Sequence, residues 1–185
     1  MTTGASTSTI IIGIIALIVI AAIIVAAVRV TRSRRLARRF GPEYDHAVRE
    51  HGDRGAAERE LANREARVRR LHIEELPAGA KARYVEEWRT VQSRFVDEPS
   101  LAIAEADRLV SSVMRDRGYP LGNFEQRAGD LSPDHPRVIE DYRIAHDIVR
   151  RSERGEVPTE DLRQAMVHYR TLFSDLVEAD ERTPR

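Results

Sequence analysis

From Ile10 to Val28 the chain runs through 19 consecutive residues, of which 18 are apolar and the other is Gly13; nine are Ile. As a helix the run is about 28 Å long at roughly 1.5 Å per residue, close to a hydrocarbon core of about 30 Å. An amphipathic helix packed in a soluble core keeps a polar stripe, and this run has none. The pattern therefore predicts a transmembrane helix. Its rival is a cleaved secretory signal, which wants a basic start, a shorter apolar stretch and a small-residue cleavage site. Met1 to Thr9 carries no charged side chain, the run is long, and Val25-x-Ala27 is the only passable site. An uncleaved anchor is the expectation.

Beyond the run every extended segment repeats its apolar positions at helical spacing, and none alternates like a strand. Arg29 to Phe40 can continue the membrane helix until Gly41-Pro42 breaks it. Pro42 suits the first turn of a short helix through about His51, with Phe40, Tyr44 and Val48 on one face. Gly52 to Gly55 reads as a turn. Ala56 to Leu71 is rich in helix formers but has a thin seam of Ala57, Leu61, Val68 and Leu71, the pattern of a solvated stalk or a loose hairpin. After Pro77-Ala78-Gly79 the seams thicken. Tyr84, Trp88, Val91 and Phe95 share one face, as do Ile103, Ala106, Val110 and Val113. Val138, Tyr142, Ala145 and Val149 repeat the step, and Leu162, Ala165, Met166, Tyr169, Leu172, Phe173 and Leu176 form the best stripe. Asn123 with Gln126 predicts a capped short helix. Ser132 or Asp134 is expected to cap the helix opening near Pro136, and Thr159 to cap the last one.

The predicted fold class is all-α: a single N-terminal transmembrane helix, polar juxtamembrane helices, then a helical bundle. The boundaries are a short tail over 1–9, the membrane helix over 10–28, Arg-rich juxtamembrane and stalk helices over 29–79, the bundle over 80–179, and a tail over 180–185. Trp88 and Phe173 are expected in one core.

Charge adds orientation. The 185 residues hold 30 basic and 30 acidic side chains, a net charge of zero. That average hides two unequal parts. Residues 29–40 contain six Arg and no acid, whereas residues 41–185 contain 24 basic and 30 acidic residues, hence −6. Positive charge stays on the cytoplasmic side of a membrane helix. Arg29, Arg32, Arg34, Arg35, Arg38 and Arg39 thus predict residues 1–9 outside a bacterial inner membrane and residues 29–185 in the cytoplasm. The same collar can touch anionic headgroups, at about 1 kcal/mol per residue near the surface. Nucleic acid is a poor partner for it, because the acidic domain beyond would repel phosphates.

The search for a reaction centre yields little. The chain has no Cys, which removes disulfides, thiolate metal sites and Cys nucleophiles. None of His46, His51, His72, His135, His146 and His168 sits in an H-E-x-x-H pattern, and no Walker loop, G-x-S-x-G or G-x-G-x-x-G occurs. Acidic pairs such as Glu74-Glu75 and Glu86-Glu87 are adjacent residues that point to different sides of a helix. No catalytic residue, metal or cofactor is expected. The constellation that stands out lies in two unusual loops, where Arg117, Tyr119, Asp130, Asp134 and His135 gather polar and aromatic groups outside helices. The stronger reading is structural: Arg117 pairs with a nearby carboxylate and Tyr119 plugs the end of the bundle. The sharper one makes these five residues a partner contact, since Arg and Tyr are enriched among interface anchors.

Several phrases carry a resemblance: Arg39-Phe-Gly-Pro-Glu-Tyr-Asp45, Arg94-Phe-Val-Asp97, Arg115-Asp-Arg-Gly-Tyr-Pro120, Asp130-Leu-Ser-Pro-Asp-His-Pro136 and Thr159-Glu-Asp-Leu-Arg-Gln-Ala-Met-Val-His-Tyr-Arg170. Over about residues 38–177 the chain resembles a family of bacterial proteins with an N-terminal hydrophobic segment and no known activity. The resemblance implies a membrane-anchored helical protein and brings no catalytic residue. The functional expectation is a protein tethered to the bilayer that binds another protein. The alternatives are an enzyme using the loop His and Asp groups, and a binder of anionic lipid or nucleic acid through the Arg collar.

Overall fold

The computed structural model describes residues 3–77, 79–155 and 157–182, with side chains over 10–77, 79–155 and 157–178. Among the described residues there are eight α-helices and no strand. They are α1 (Thr3–Phe40), α2 (Pro42–His51), α3 (Arg54–Val68), α4 (Ala80–Arg94), α5 (Pro99–Asp116), α6 (Phe124–Leu131), α7 (Ile139–Ser152) and α8 (Thr159–Arg182). The chain divides into two units, one ending at Arg39 and the other beginning at Phe40.

The first unit is α1. Its most apolar 18 residues reach a mean hydropathy of 3.4, and nothing covers them. Ile10, Leu17 and Ile23 are 62%, 67% and 63% exposed. A soluble helix that leaves nine Ile in water would forfeit about 25 cal/mol for each Å² left uncovered. The helix is long and apolar enough to cross a membrane, and it continues unbroken through the six Arg to Phe40, as the sequence predicts. Backbone of residues 3–9, expected as a tail, already belongs to α1.

In the second unit, breaks fall where turn chemistry puts them. Gly41 takes a φ of 52° and Pro42 opens α2. Gly52, at φ 65°, closes α2 by donating its N–H to the Val48 carbonyl at 3.0 Å. Asp53 caps α3 by accepting from the Ala56 N–H at 2.6 Å. Asn123 caps α6, accepting from the Gln126 N–H at 2.9 Å. The start of α7 departs from expectation. The helix begins at Ile139 with no side-chain cap. Ser132 instead donates to the Gly129 carbonyl at 2.8 Å, and Asp134 is exposed. Thr159 is the first residue of α8 rather than the residue before it.

The main core joins α4, α5, α6, α7 and α8. Trp88 stacks on Phe173, ring centroids 4.8 Å apart at 18°, so the two aromatics expected in one core lie in it. Ile103, Val110, Val113, Met114, Tyr142, Tyr169, Leu172 and Leu176 are fully buried around them. Every buried apolar residue of this cluster lies at or beyond Ala80. The buried apolar residues of the hairpin α2–α3, among them Tyr44, Ala47, Ala57 and Leu61, stand outside it. The main core thus begins at Ala80, while the compact unit itself starts earlier, at Phe40. The segment expected as a stalk or one side of a loose hairpin is half of a hairpin docked on the bundle, with α3 meeting α6 and α2 meeting α7.

Candidate functional site: ion networks and clefts around α7

Polar contacts make much of the docking. Glu43 of α2 is buried, its side chain 2% exposed, and it is gripped by two guanidiniums. Arg64 of α3 donates to it at 2.7 Å. Arg143 of α7 donates through Nε at 3.2 Å and Nη2 at 2.9 Å, a two-pronged contact. Arg64 also reaches Glu60 at 3.1 Å, and Arg143 reaches Glu125 at 2.7 Å. Burial works against the charge on Arg143, but the hydrogen bonds from Glu43 and Glu125 outweigh it and hold its pKa above the ordinary value. A second tie joins Arg67 of α3 to Asp130 of α6 at 2.7 Å. Sequence reading missed Glu43, Arg64 and Arg143 because the partners lie 21 and 100 positions apart. Three charges scattered over apparently solvated faces leave no local signal.

The loop constellation converges, but inward. Arg117, Tyr119, Asp130 and His135 are all buried, and only Asp134 of the five is exposed. Arg117 donates through Nη1 to the Leu176 carbonyl of α8. His135 Nδ1 lies 2.6 Å from Asp175 Oδ2, and the Tyr119 ring stands edge-on to it at 6.3 Å. Burial, helped by Asp134, pushes the Tyr119 hydroxyl far above the usual tyrosine range, so it stays protonated at neutral pH. Asp130 is wholly buried; Oδ1 takes the Arg67 bond and Oδ2 has no hydrogen-bond partner. Gly118 anchors this end. Its φ is +91°, and a Cβ there would lie 2.3 Å from the His72 carbonyl oxygen. Beside it the Glu74 N–H donates to the Arg117 carbonyl at 3.0 Å, stitching the α3–α4 linker to the loop. Arg117, Tyr119, Asp130 and His135 thus belong to the closed end of the bundle rather than to its surface. Arg117 bonds a backbone carbonyl of α8, and Tyr119 plugs the end of the bundle.

The accessible relief lies on the other side, along α7. A cleft of about 430 Å³ has α7 as its floor, α2 as one wall and the first turns of α8 as the other. Ile144 lies in its floor, 41% exposed, with Ile148 and Pro42 beside it. Arg151 bridges Asp147 at 3.2 Å and Asp161 at 3.4 Å at one end. A second hollow of about 590 Å³ adjoins it, sharing His46, Arg143 and Asp147 and adding Phe124, His146, Arg150 and Arg154.

No family model, curated protein or solved structure matches the chain. The relief around α7 must be read from its own chemistry. His146 stacks flat on Phe124, centroids 3.7 Å apart at 5°. Burial pushes its pKa below the ordinary value, so the ring is neutral at pH 7. Tyr142 beneath is pushed up to about 12, chiefly by burial, and accepts from Arg127 at 3.0 Å. No three His, Asp or Glu among the described residues are grouped to hold a metal ion. What the α7 face offers is an apolar strip edged by charges, which is a surface suited to recognition.

Proposed function

We propose that the protein is a single-pass membrane protein whose helical domain, from Phe40 onward, is a tethered module that binds another protein on the cytoplasmic side. The observation that supports this best is α1, an uncovered apolar helix that passes without a break into six Arg and then, through Gly41-Pro42, into a compact domain. Such an arrangement concentrates the domain at a surface and raises its effective concentration for any partner held there. The partner-facing surface in this reading is the α2–α7–α8 cleft, because the loops around Tyr119 and His135 are closed. The expected chemistry of the partner is a short apolar segment flanked by charges, to meet Ile144 and the ionic rim.

The experiment is a comparison in native membranes. A photo-crosslinking residue replacing Ile144 should yield discrete adducts, while the same residue at Val96, which is exposed far from the cleft residues in sequence, should not. Once the adducts name the partner, Ile144→Asp should abolish its co-purification with the intact protein without changing the helical signal. Equal adduct patterns at both positions sink the reading.

A further inference from the structure

The hollow beside α6 and α7 holds positive charge that the fold does not use. Its carboxylates are already engaged: Arg143 holds Glu125 at 2.7 Å and Arg151 holds Asp147 at 3.2 Å. Arg150 and Arg154, also on its wall, meet no carboxylate among the described residues. Arg154 donates its Nε to the Arg150 carbonyl at 3.0 Å, and both residues are exposed. Arg154 lies in the turn just past the end of α7, and its bond to the Arg150 carbonyl folds its side chain back beside Arg150, so both residues border the same hollow. This happens in a part of the chain with 24 basic against 30 acidic residues, so the local excess runs against the average. His146 is neutral in the wall, so the field there comes from the guanidiniums.

Planar guanidinium forks match pairs of oxygens on a phosphate, and two of them match a dianion, whereas a carboxylate would neutralise only one. We propose that this hollow is a binding site for a phosphomonoester or pyrophosphate group, gripped by Arg150 and Arg154 with His46 across from them. The site goes beyond the tethered-module reading and does not depend on it. Two sources carry the same chemistry: a soluble phosphate compound, and a lipid headgroup that ends in a phosphomonoester.

The test uses the full chain in nanodiscs. In discs of phosphatidylcholine alone, inorganic pyrophosphate is titrated by calorimetry at about 0.15 M salt, where long-range charge effects are screened beyond about 8 Å. In a second arm, the discs contain phosphatidate and the melting temperature of the helical signal is read. Wild type is compared with Arg150→Ala/Arg154→Ala and with a collar variant, Arg32→Ala/Arg34→Ala. Both site residues are exposed, so the unliganded melting temperature should match wild type in the pair variant. Saturable pyrophosphate binding that weakens at least tenfold in the pair variant and persists in the collar variant supports the site with a soluble source. Stabilisation by phosphatidate alone, lost in the pair variant and kept in the collar variant, supports the same site with a lipid source. Equal responses of wild type and the pair variant, or no response in either arm, overturn it.

Discussion

Glu43 shows what a single residue decides in this molecule. Its carboxylate leaves water, which is costly, and two guanidiniums with good geometry offset that cost. Glu43→Gln keeps the shape but strands Arg64 and Arg143 beside a neutral group. Removing one partner of a buried ion pair costs about 3–5 kcal/mol. Because the hairpin α2–α3 lies outside the main core, that loss should fall on the hairpin. Amide exchange should accelerate in α2 and α3 while α5 and α8 stay protected. Uniform acceleration would show that the network supports the whole bundle. A triple replacement of Glu43, Arg64 and Arg143 by Leu, Met and Met should restore much of the protection, since apolar groups of similar volume need no partners. His146 carries the opposite sign of pH dependence from a paired His. Its folded pKa lies below the ordinary 6.5, so below about that pH the unfolded chain takes up a proton that the folded ring resists. Stability should therefore decline as pH falls from 7 towards 5. His146→Phe should flatten that slope, and an unchanged slope would assign it to other groups.

At the scale of elements, the apolar stripes carried most of the information. The seam of α8 and those of α4, α5 and α7 are buried at the positions their spacing indicates, Phe95 at the end of the α4 seam only in part, because one face of a helix has nowhere else to go. Gly, Pro and Asn set the breaks by conformational preference alone, so they too were readable. Two things were not. The start of α7 was misplaced, because Ser132 bonds its own preceding turn instead of capping the next helix. Nor was the depth of the loop residues readable, because polarity alone does not reveal whether a partner waits inside the fold. Arg117 finds the Leu176 carbonyl and His135 finds Asp175, both from α8 and both distant in sequence. The stacked pair of α4 and α8 gives a direct measure of inter-element packing. Truncating Trp88 or Phe173 to Ala should each cost about 3–5 kcal/mol, enough to unfold a domain of marginal stability. Trp88 Nε1 is buried without a hydrogen-bond partner. Trp88→Phe deletes that unmet donor and keeps a ring on Phe173, so it should cost clearly less than Ala in chemical denaturation. If the two substitutions cost the same, the stack contributes little and bulk volume dominates.

For the whole molecule the decisive quantity is the direction in which α1 would cross a bilayer, since the cytoplasmic partner proposed for the domain depends on it. The asymmetry of charge is large: six Arg follow the apolar run within 12 residues, and none of the nine residues before it carries a charged side chain. Retention of Lys and Arg on the cytoplasmic side sets orientation most strongly within about 15–20 residues of the span, and all six lie inside that window. A reporter fused after Arg185 should accordingly work in the form that requires the cytoplasm and stay silent in the form that requires export. Neutral residues in place of Arg29, Arg32, Arg34 and Arg35, with Lys introduced near Thr3, should weaken or invert that result, because the bias then sits on the opposite flank. The remaining Arg38 and Arg39 give the variant a residual preference, so a mixture of both orientations is the expected outcome rather than a clean reversal. Protease added to intact spheroplasts makes the independent check. A wild-type domain that is cut from outside would place Phe40 onward beyond the membrane and remove the cytoplasmic partner, whereas protection until the membrane is opened keeps it.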